Sequence, residues 1–255
     1  MKQLTLTPLT FLIVCPLVFL AGLVDAIGGG GGIISLPAYM LAGLPAHSAV
    51  ATNKLSSCCG TALTTGRFIK NRLVNFRLAL PTVIAAVAGS SAGARLSLLV
   101  DEQVFKIILA VLLPVIAFTV LNKKNFPDEE KEIVLNRRTY ITAVLSALII
   151  GMYDGFYGPG TGTFLIIAFT VFAKMNVMNA NAQAKVINLT TNITSLAVFL
   201  ANGQVLVPLG LAAAACNMAG GYIGSGMVMK NSSKIVRPVI IIVLVLLLLK
   251  IIGLF

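Results

Sequence analysis

The sequence predicts an all-α polytopic membrane protein built from two homologous repeats of about four to five transmembrane segments each. Three observations lead there. Of the 255 residues 58% are hydrophobic and 11% charged, with a mean hydropathy of +0.97, whereas water-soluble domains carry roughly 25% charged residues. Apolar runs of membrane-crossing length follow one another along the chain. Unusual residues recur at a fixed shift, as Lys54 does at Lys185, 131 positions later.

Crossing the hydrocarbon core as a helix takes about 20 apolar residues. The spans that qualify are 8–24, 48–69, 76–99, 104–121, 139–153, 180–200, 205–229 and 235–254. Two shorter pieces, 33–43 and 161–173, are marginal as crossings and are expected as half-helices or re-entrant elements. The first span has the look of a secretory signal, with Lys2, an apolar stretch over 11–24 and small residues after it. A very similar segment, 140–156, recurs mid-chain before another Gly-rich stretch. The first span is therefore expected to stay as a transmembrane helix. The longest strongly charged interval is 122–138, too short for a soluble domain; it is expected as a cytoplasmic linker between a first repeat, 1–121, and a second, 139–255.

The net charge of +11 comes from 19 Lys and Arg scattered between apolar runs. They form no basic face of the kind that binds nucleic acid, and read as topology signals. Cys15, Cys58, Cys59 and Cys216 lie in or beside apolar runs without metal-ligand spacing, so they are expected as small buried hydrophobes. Vicinal Cys58 and Cys59 form the pair worth testing for redox sensitivity.

The shift of 131 aligns Ala49 with Ala180, Lys54 with Lys185, Phe68 with Phe199, Asn71 with Asn202, Gly89 with Gly220 and Gly93 with Gly224. Upstream a slip of one or two residues sets Asp25 on Asp154 and the run Gly28–Gly32 on the stretch Gly158–Gly162. Lys, Asn and paired Gly do not coincide cheaply in an apolar chain. Loop charge reverses between the halves. Arg67, Lys70, Arg72 and Arg77 have no cationic counterpart around Asn202, whereas Lys230, Lys234 and Arg237 answer a loop in which Asp101 and Glu102 offset Arg95 and Lys106. That reversal points to inverted repeats with a site near the midplane. A parallel arrangement with four crossings per half stays open.

Of eight acidic residues only Asp25 and Asp154 fall near membrane-embedded sequence, each at the end of an apolar helix before glycines. They are candidates for proton coupling or for orienting the site lysines, or else for capping N–H groups of the Gly-rich turn. Lys54 and Lys185 are the cations best placed inside long apolar helices, where two ammonium groups can converge on one anion; snorkelling to the interface is the alternative. Thr52, Asn53, Ser56 and Ser57 accompany one, and Gln183, Asn188, Thr190, Thr191 and Asn192 the other. The glycine run Gly28, Gly29, Gly30, Gly31, Gly32 and its counterpart Gly158, Pro159, Gly160, Thr161, Gly162 break the helix and expose N–H groups as an anion cradle. Gly89, Gly93, Gly220 and Gly224 fit close helix packing. The single histidine, His47, aligns with Met178 and reads as a helix-start or interfacial residue more than a proton relay.

These residues carry a resemblance to the TauE/SafE-type (TSUP) family of sulfite and organic-anion exporters. They are Asp25 through Gly32 with Pro37, then Ala51-Thr52-Asn53-Lys54, then Gly89, Gly93 and Arg95. In the second half they are Asp154, Gly158 through Phe164, Ala182 to Lys185 and the Asn202-Gly203 turn. The resemblance implies a transporter of small anions such as sulfite, sulfoacetate or related sulfonates and carboxylates, in the inner membrane. Ala184 stands where the first half has Asn53, so the two sides of the site are unequal. The expected partners are a small inorganic or organic anion and the lipid bilayer, with no nucleic acid, cofactor or metal. An anion channel using the same lysines, or an importer of sulfur oxyanions, is the alternative, and no cluster of acid, base and nucleophile suggests an enzyme.

Overall fold

The computed structural model describes residues 6–99 and 135–251, and these form nine α-helices and no strand. They are α1 (Pro8–Gly28), α2 (Gly32–Leu41), α3 (Ala46–Lys70), α4 (Phe76–Ser97), α5 (Arg137–Phe156), α6 (Thr161–Val171), α7 (Val177–Ala201), α8 (Val207–Lys230) and α9 (Ser232–Ile251). The span expected at 104–121 and most of the linker 122–138 lie outside the described residues. Asparagines set three of the helix starts. Asn75, Asn136 and Asn176 each precede a helix and accept from its first-turn N–H groups, which otherwise have no partner.

Among the described residues α1, α4, α5, α7 and α8 are long and apolar enough to cross a membrane. Helix α3 has the same 25 residues as α7 but is more polar. Its polar groups point inward: Thr52, Asn53, Lys54, Ser56, Thr61, Thr64 and Thr65 are all buried. Leu12, Leu80, Ile84 and Ile149 are exposed, as befits side chains that face lipid. Helices α2 and α6 have 10 and 11 residues, and at 1.5 Å per residue each covers roughly 15 Å, half the hydrocarbon core. The half-helices expected from sequence are thus present at 32–41 and 161–171.

Glycines decide the closest contacts. A Cβ on Gly89 would lie 2.2 Å from the Leu148 carbonyl oxygen and one on Gly93 1.9 Å from that of Met152, so α4 seats directly on the backbone of α5. The same occurs between α8 and α1, where a Cβ on Gly220 would lie 2.0 Å from the Phe19 oxygen and one on Gly224 2.5 Å from that of Leu23. Backbones this close gain dispersion contacts along the whole crossing without any hydrophobic drive from water. In both contacts the residue numbers rise together, so the paired helices run parallel. Helices α3 and α7 run antiparallel: Lys54 meets Asn192, whereas the Thr65 hydroxyl reaches the Lys185 carbonyl, 3.2 Å away.

Left-handed backbone recurs at positions 131 apart. Gly43 (φ 90°) answers Lys174 (φ 57°), and Arg72 (φ 58°) answers Gly203 (φ 65°). A side chain in this region costs roughly 1–2 kcal/mol. The turn geometry is thus kept at Lys174 and Arg72 although neither is glycine.

Candidate functional site

A polar cavity is lined by Asp25, Gly29, Gly32, Asn53, Lys54, Ser57, Asp154, Gly158, Thr161, Asn188 and Asn192. Helices α1 and α5 bring their C-terminal ends to it, α3 and α7 pass beside it, and α2 and α6 begin at it. Gly32 and Thr161, the first residues of those two short helices, are both in the lining. Two helix N-termini therefore aim their positive dipole ends at one place, while the N–H groups of Ile33, Ile34 and Thr161 bond the carbonyls of Gly30, Gly31 and Gly158. The glycine stretches make this possible. Gly29 has φ 79° and would place a Cβ 2.2 Å from the Gly162 carbonyl carbon, so the two breaks touch backbone to backbone.

Two buried ion pairs cross between the regions. Lys54 Nζ donates to Asp154 Oδ2 at 2.7 Å and to Asn192 Oδ1 at 3.2 Å. The Thr161 hydroxyl lies 2.7 Å from both Asp154 Oδ1 and the Gly158 carbonyl, and the carboxylate is the stronger acceptor. Gly158 must be glycine here, because a Cβ would lie 2.8 Å from Asp154 Oδ1 and 3.2 Å from Lys54 Nζ. Lys185 Nζ donates to Asp25 Oδ2 at 2.7 Å and also to the Asp25 carbonyl. Both side chains of the Lys54–Asp154 pair are 3% exposed; in the other pair Lys185 is sealed and Asp25 is 21% exposed. An isolated ion at this depth costs several kcal/mol, which the partner offsets. The formal charges of the four groups cancel.

The neutral polar groups orient their donors inward. Asn53 Oδ1 accepts from the Ser57 hydroxyl at 3.4 Å, and Asn188 Oδ1 accepts from Asn192 Nδ2 at 3.4 Å. With both amide oxygens occupied, the NH2 groups of Asn53 and Asn188 are left for whatever fills the cavity.

Not every residue anticipated from sequence reaches this cavity. Lys185 is fully buried against Asp25 and does not line it. Thr52 accepts from the Leu206 N–H at 3.1 Å and Gln183 donates to the Asn75 carbonyl at 3.0 Å. Both side chains thus fasten a long helix to the start of another, and the two ties are themselves 131 positions apart. Gly30 abuts Val243 of α9, Gly31 the Ala21 carbonyl and Gly162 the backbone of Gly29, while Gly160 takes φ 83° to start α6. The Gly29 N–H bonds the Asp25 backbone carbonyl at 2.8 Å, and the aspartate side chains take lysine and hydroxyl donors. Capping of the Gly-rich turn by these carboxylates is not what the geometry gives. His47 is exposed in the first turn of α3, away from the cavity. Sequence reading passed over Asn181 and Thr163. Asn181 Nδ2 donates to the Ala26 and Ile27 carbonyls (3.2 and 3.1 Å), and Thr163 to that of Gly28 (2.6 Å). Together they satisfy the last carbonyls of α1. The available signal was, for Thr163, a hydroxyl beside the glycines, whereas Asn181 stands between Asn179 and Gln183 with nothing to mark it out.

A helical bundle with lipid-facing leucines, broken half-helices and a charged cavity at their tips defines a multi-pass membrane transporter. The chain belongs to the family described as "Sulfite exporter TauE/SafE", whose profile matches residues 14–251. It is 36% identical over 244 residues to "Probable membrane transporter protein ORF9" of Sinorhizobium sp, covering 95% of this chain and 92% of that one. It is 35% identical over 225 residues to a "Probable membrane transporter protein" of Haemophilus influenzae, covering 88% and 87%. To "Probable membrane transporter protein YfcA" of Escherichia coli K12 it is 34% identical over 226 residues, covering 88% and 82%. No solved structure matches the chain.

Proposed function

We propose that this transporter carries a small oxyanion, such as sulfite or a sulfonate like sulfoacetate, out of the cell as a secondary carrier, and is not an enzyme. The observation that carries the reading is the donor set of the cavity. The Lys54 ammonium, the NH2 groups of Asn53 and Asn188 and two helix N-termini converge on one space, and the compact oxygens of an anion match that set. Lys54 is the contacting cation; Lys185 acts from behind Asp25. Export and the sulfur oxyanion class follow the family's description.

Alternating exposure of the cavity would come from one half rocking against the other. Repeat-related α3 and α7 lie antiparallel, and the cationic loops change sides, which supports inverted halves. The contacts of Gly89 and Gly93 with α5 return as those of Gly220 and Gly224 with α1, which supports the repeat itself. A thermal-shift screen of purified protein with sulfite, sulfate, thiosulfate, sulfoacetate and small carboxylates tests the reading, since only a ligand of the folded state raises the midpoint. Selective stabilisation by one or more sulfur oxyanions is expected. Stabilisation by none of these anions contradicts it.

A further inference from the structure

Resting on that anion reading, we infer that Asp25, and not its repeat counterpart Asp154, takes up a proton from the cavity when the anion binds, so that anion and proton travel together. The two carboxylates look alike in sequence and differ in their surroundings. Asp154 is 3% exposed with both oxygens occupied, Oδ2 by the Lys54 ammonium and Oδ1 by the Thr161 hydroxyl. Protonating it would displace a donor. Asp25 is 21% exposed and lines the cavity. Its Oδ2 is held by Lys185, and Oδ1 has no hydrogen-bond partner among the described residues. A proton delivered by cavity water forms an O–H bond at Oδ1 without breaking any contact.

Charge supplies the coupling. With all four groups ionised the cavity is formally neutral, and a monoanion entering it faces two carboxylates in surroundings of low dielectric constant. One proton on Asp25 leaves the Lys185 ammonium uncompensated, and its field then favours the anion. A monoanion plus a proton adds no net charge, so each loaded cycle is electroneutral.

The ionisable groups that face Asp25 are few. Helix α7 presents Lys185, while α3 and α5 present Lys54 and Asp154 across the cavity. On α2 the titratable side chain is Tyr39, bonded to Ser56, and α6 has none. Against the end of α1, α9 places Val239, Ile240 and Val243; its cations are Lys234, Arg237 and Lys250. Helix α8 meets α1 through glycines.

The test is anion-dependent thermal stabilisation of purified full-length protein over about pH 5 to 9, where one coupled proton gives a slope approaching tenfold in affinity per pH unit. Sulfite, sulfate and thiosulfate serve as probes; the latter two stay fully ionised dianions over that range, so a slope with them belongs to the protein. Wild type is expected to bind less tightly as pH rises. Asp25→Asn is expected to hold the low-pH affinity throughout, and Asp154→Asn to keep the slope. In weak buffer, wild type mixed with neutral sodium sulfate or thiosulfate is expected to take up about one proton per anion bound, a measurement that needs no variant. A slope that survives in Asp25→Asn, or that vanishes only in Asp154→Asn, overturns the assignment, as does binding without proton uptake. Failure of wild type to bind any of the three at any pH overturns the anion reading itself and this inference with it.

Discussion

The two lysine–aspartate pairs occupy equivalent places in the sequence and unequal places in the structure. Lys54 and Asp154 form a closed, multiply bonded pair whose cation reaches the cavity wall. Lys185 and Asp25 form a pair in which the cation is sealed and the carboxylate is partly open. The difference traces to two substitutions between the halves. Thr161, which gives Asp154 its hydroxyl, opens α6 as Gly32 opens α2 in the first half, at the same shift that sets Asp25 on Asp154, and Asn192, which accepts from Lys54, stands where the first half has Thr61. Neither residue carries charge, yet each decides how firmly a neighbouring charge is held. A duplicated scaffold can thus hold one lysine–aspartate pair closed and leave the carboxylate of the other partly open by changing only their neutral neighbours, the asymmetry on which the proposed roles rest.

Removing the cation separates the pairs most widely. Lys54→Met leaves Asp154 buried without its counter-ion, and breaking a buried pair in this way costs roughly 3–5 kcal/mol. A large fall in thermal midpoint together with loss of anion-dependent stabilisation is expected. Lys185→Met leaves a carboxylate that keeps some hydration, so a smaller loss, about 2 kcal/mol, is expected from the same melting curves. Equal losses in the two variants would erase the distinction drawn here. Thr161→Val removes a single bond to a charged acceptor, worth about 1.5 kcal/mol, and should open Asp154 to protonation. A steeper pH dependence of anion binding is then expected, read in the same titrations. His47→Ala, outside both pairs, should shift stability by less than about 0.5 kcal/mol and leave the pH dependence of transport unaltered; a lost pH dependence would move the proton site away from Asp25.

Much of this was legible in the sequence because bilayer physics is strict. A core that cannot hydrogen-bond makes apolar runs read as helices, and every residue of the cavity lining was among the polar and glycine positions singled out beforehand. The pairing was not legible. A shift of 131 equates Lys54 with Lys185 but says nothing of which aspartate each will meet, because contact across halves depends on how they interlock. Thr52 and Gln183 misled for a related reason. A polar side chain inside an apolar helix serves a ligand or a neighbouring backbone equally well by type, and only the position of Leu206 N–H and of the Asn75 carbonyl decides. Helix α3 is the converse case. It was expected as a span at 48–69 despite its low apolarity, and the polar side chains of its middle, Thr52 to Ser56 and Thr61 to Thr65, are turned to the protein interior, while His47 and Lys70 at its ends are exposed.

The most direct test is flux through liposomes reconstituted with Lys54→Gln/Asp154→Asn, in which both charges of the closed pair go at once and no buried ion is stranded. Exchanging a whole buried pair for neutral groups is often close to neutral for stability, so lost transport there speaks to the site and not to the fold. The account predicts a well-folded protein whose sulfite flux falls to that of protein-free liposomes. Sulfite flux at the wild-type rate in this variant would contradict it.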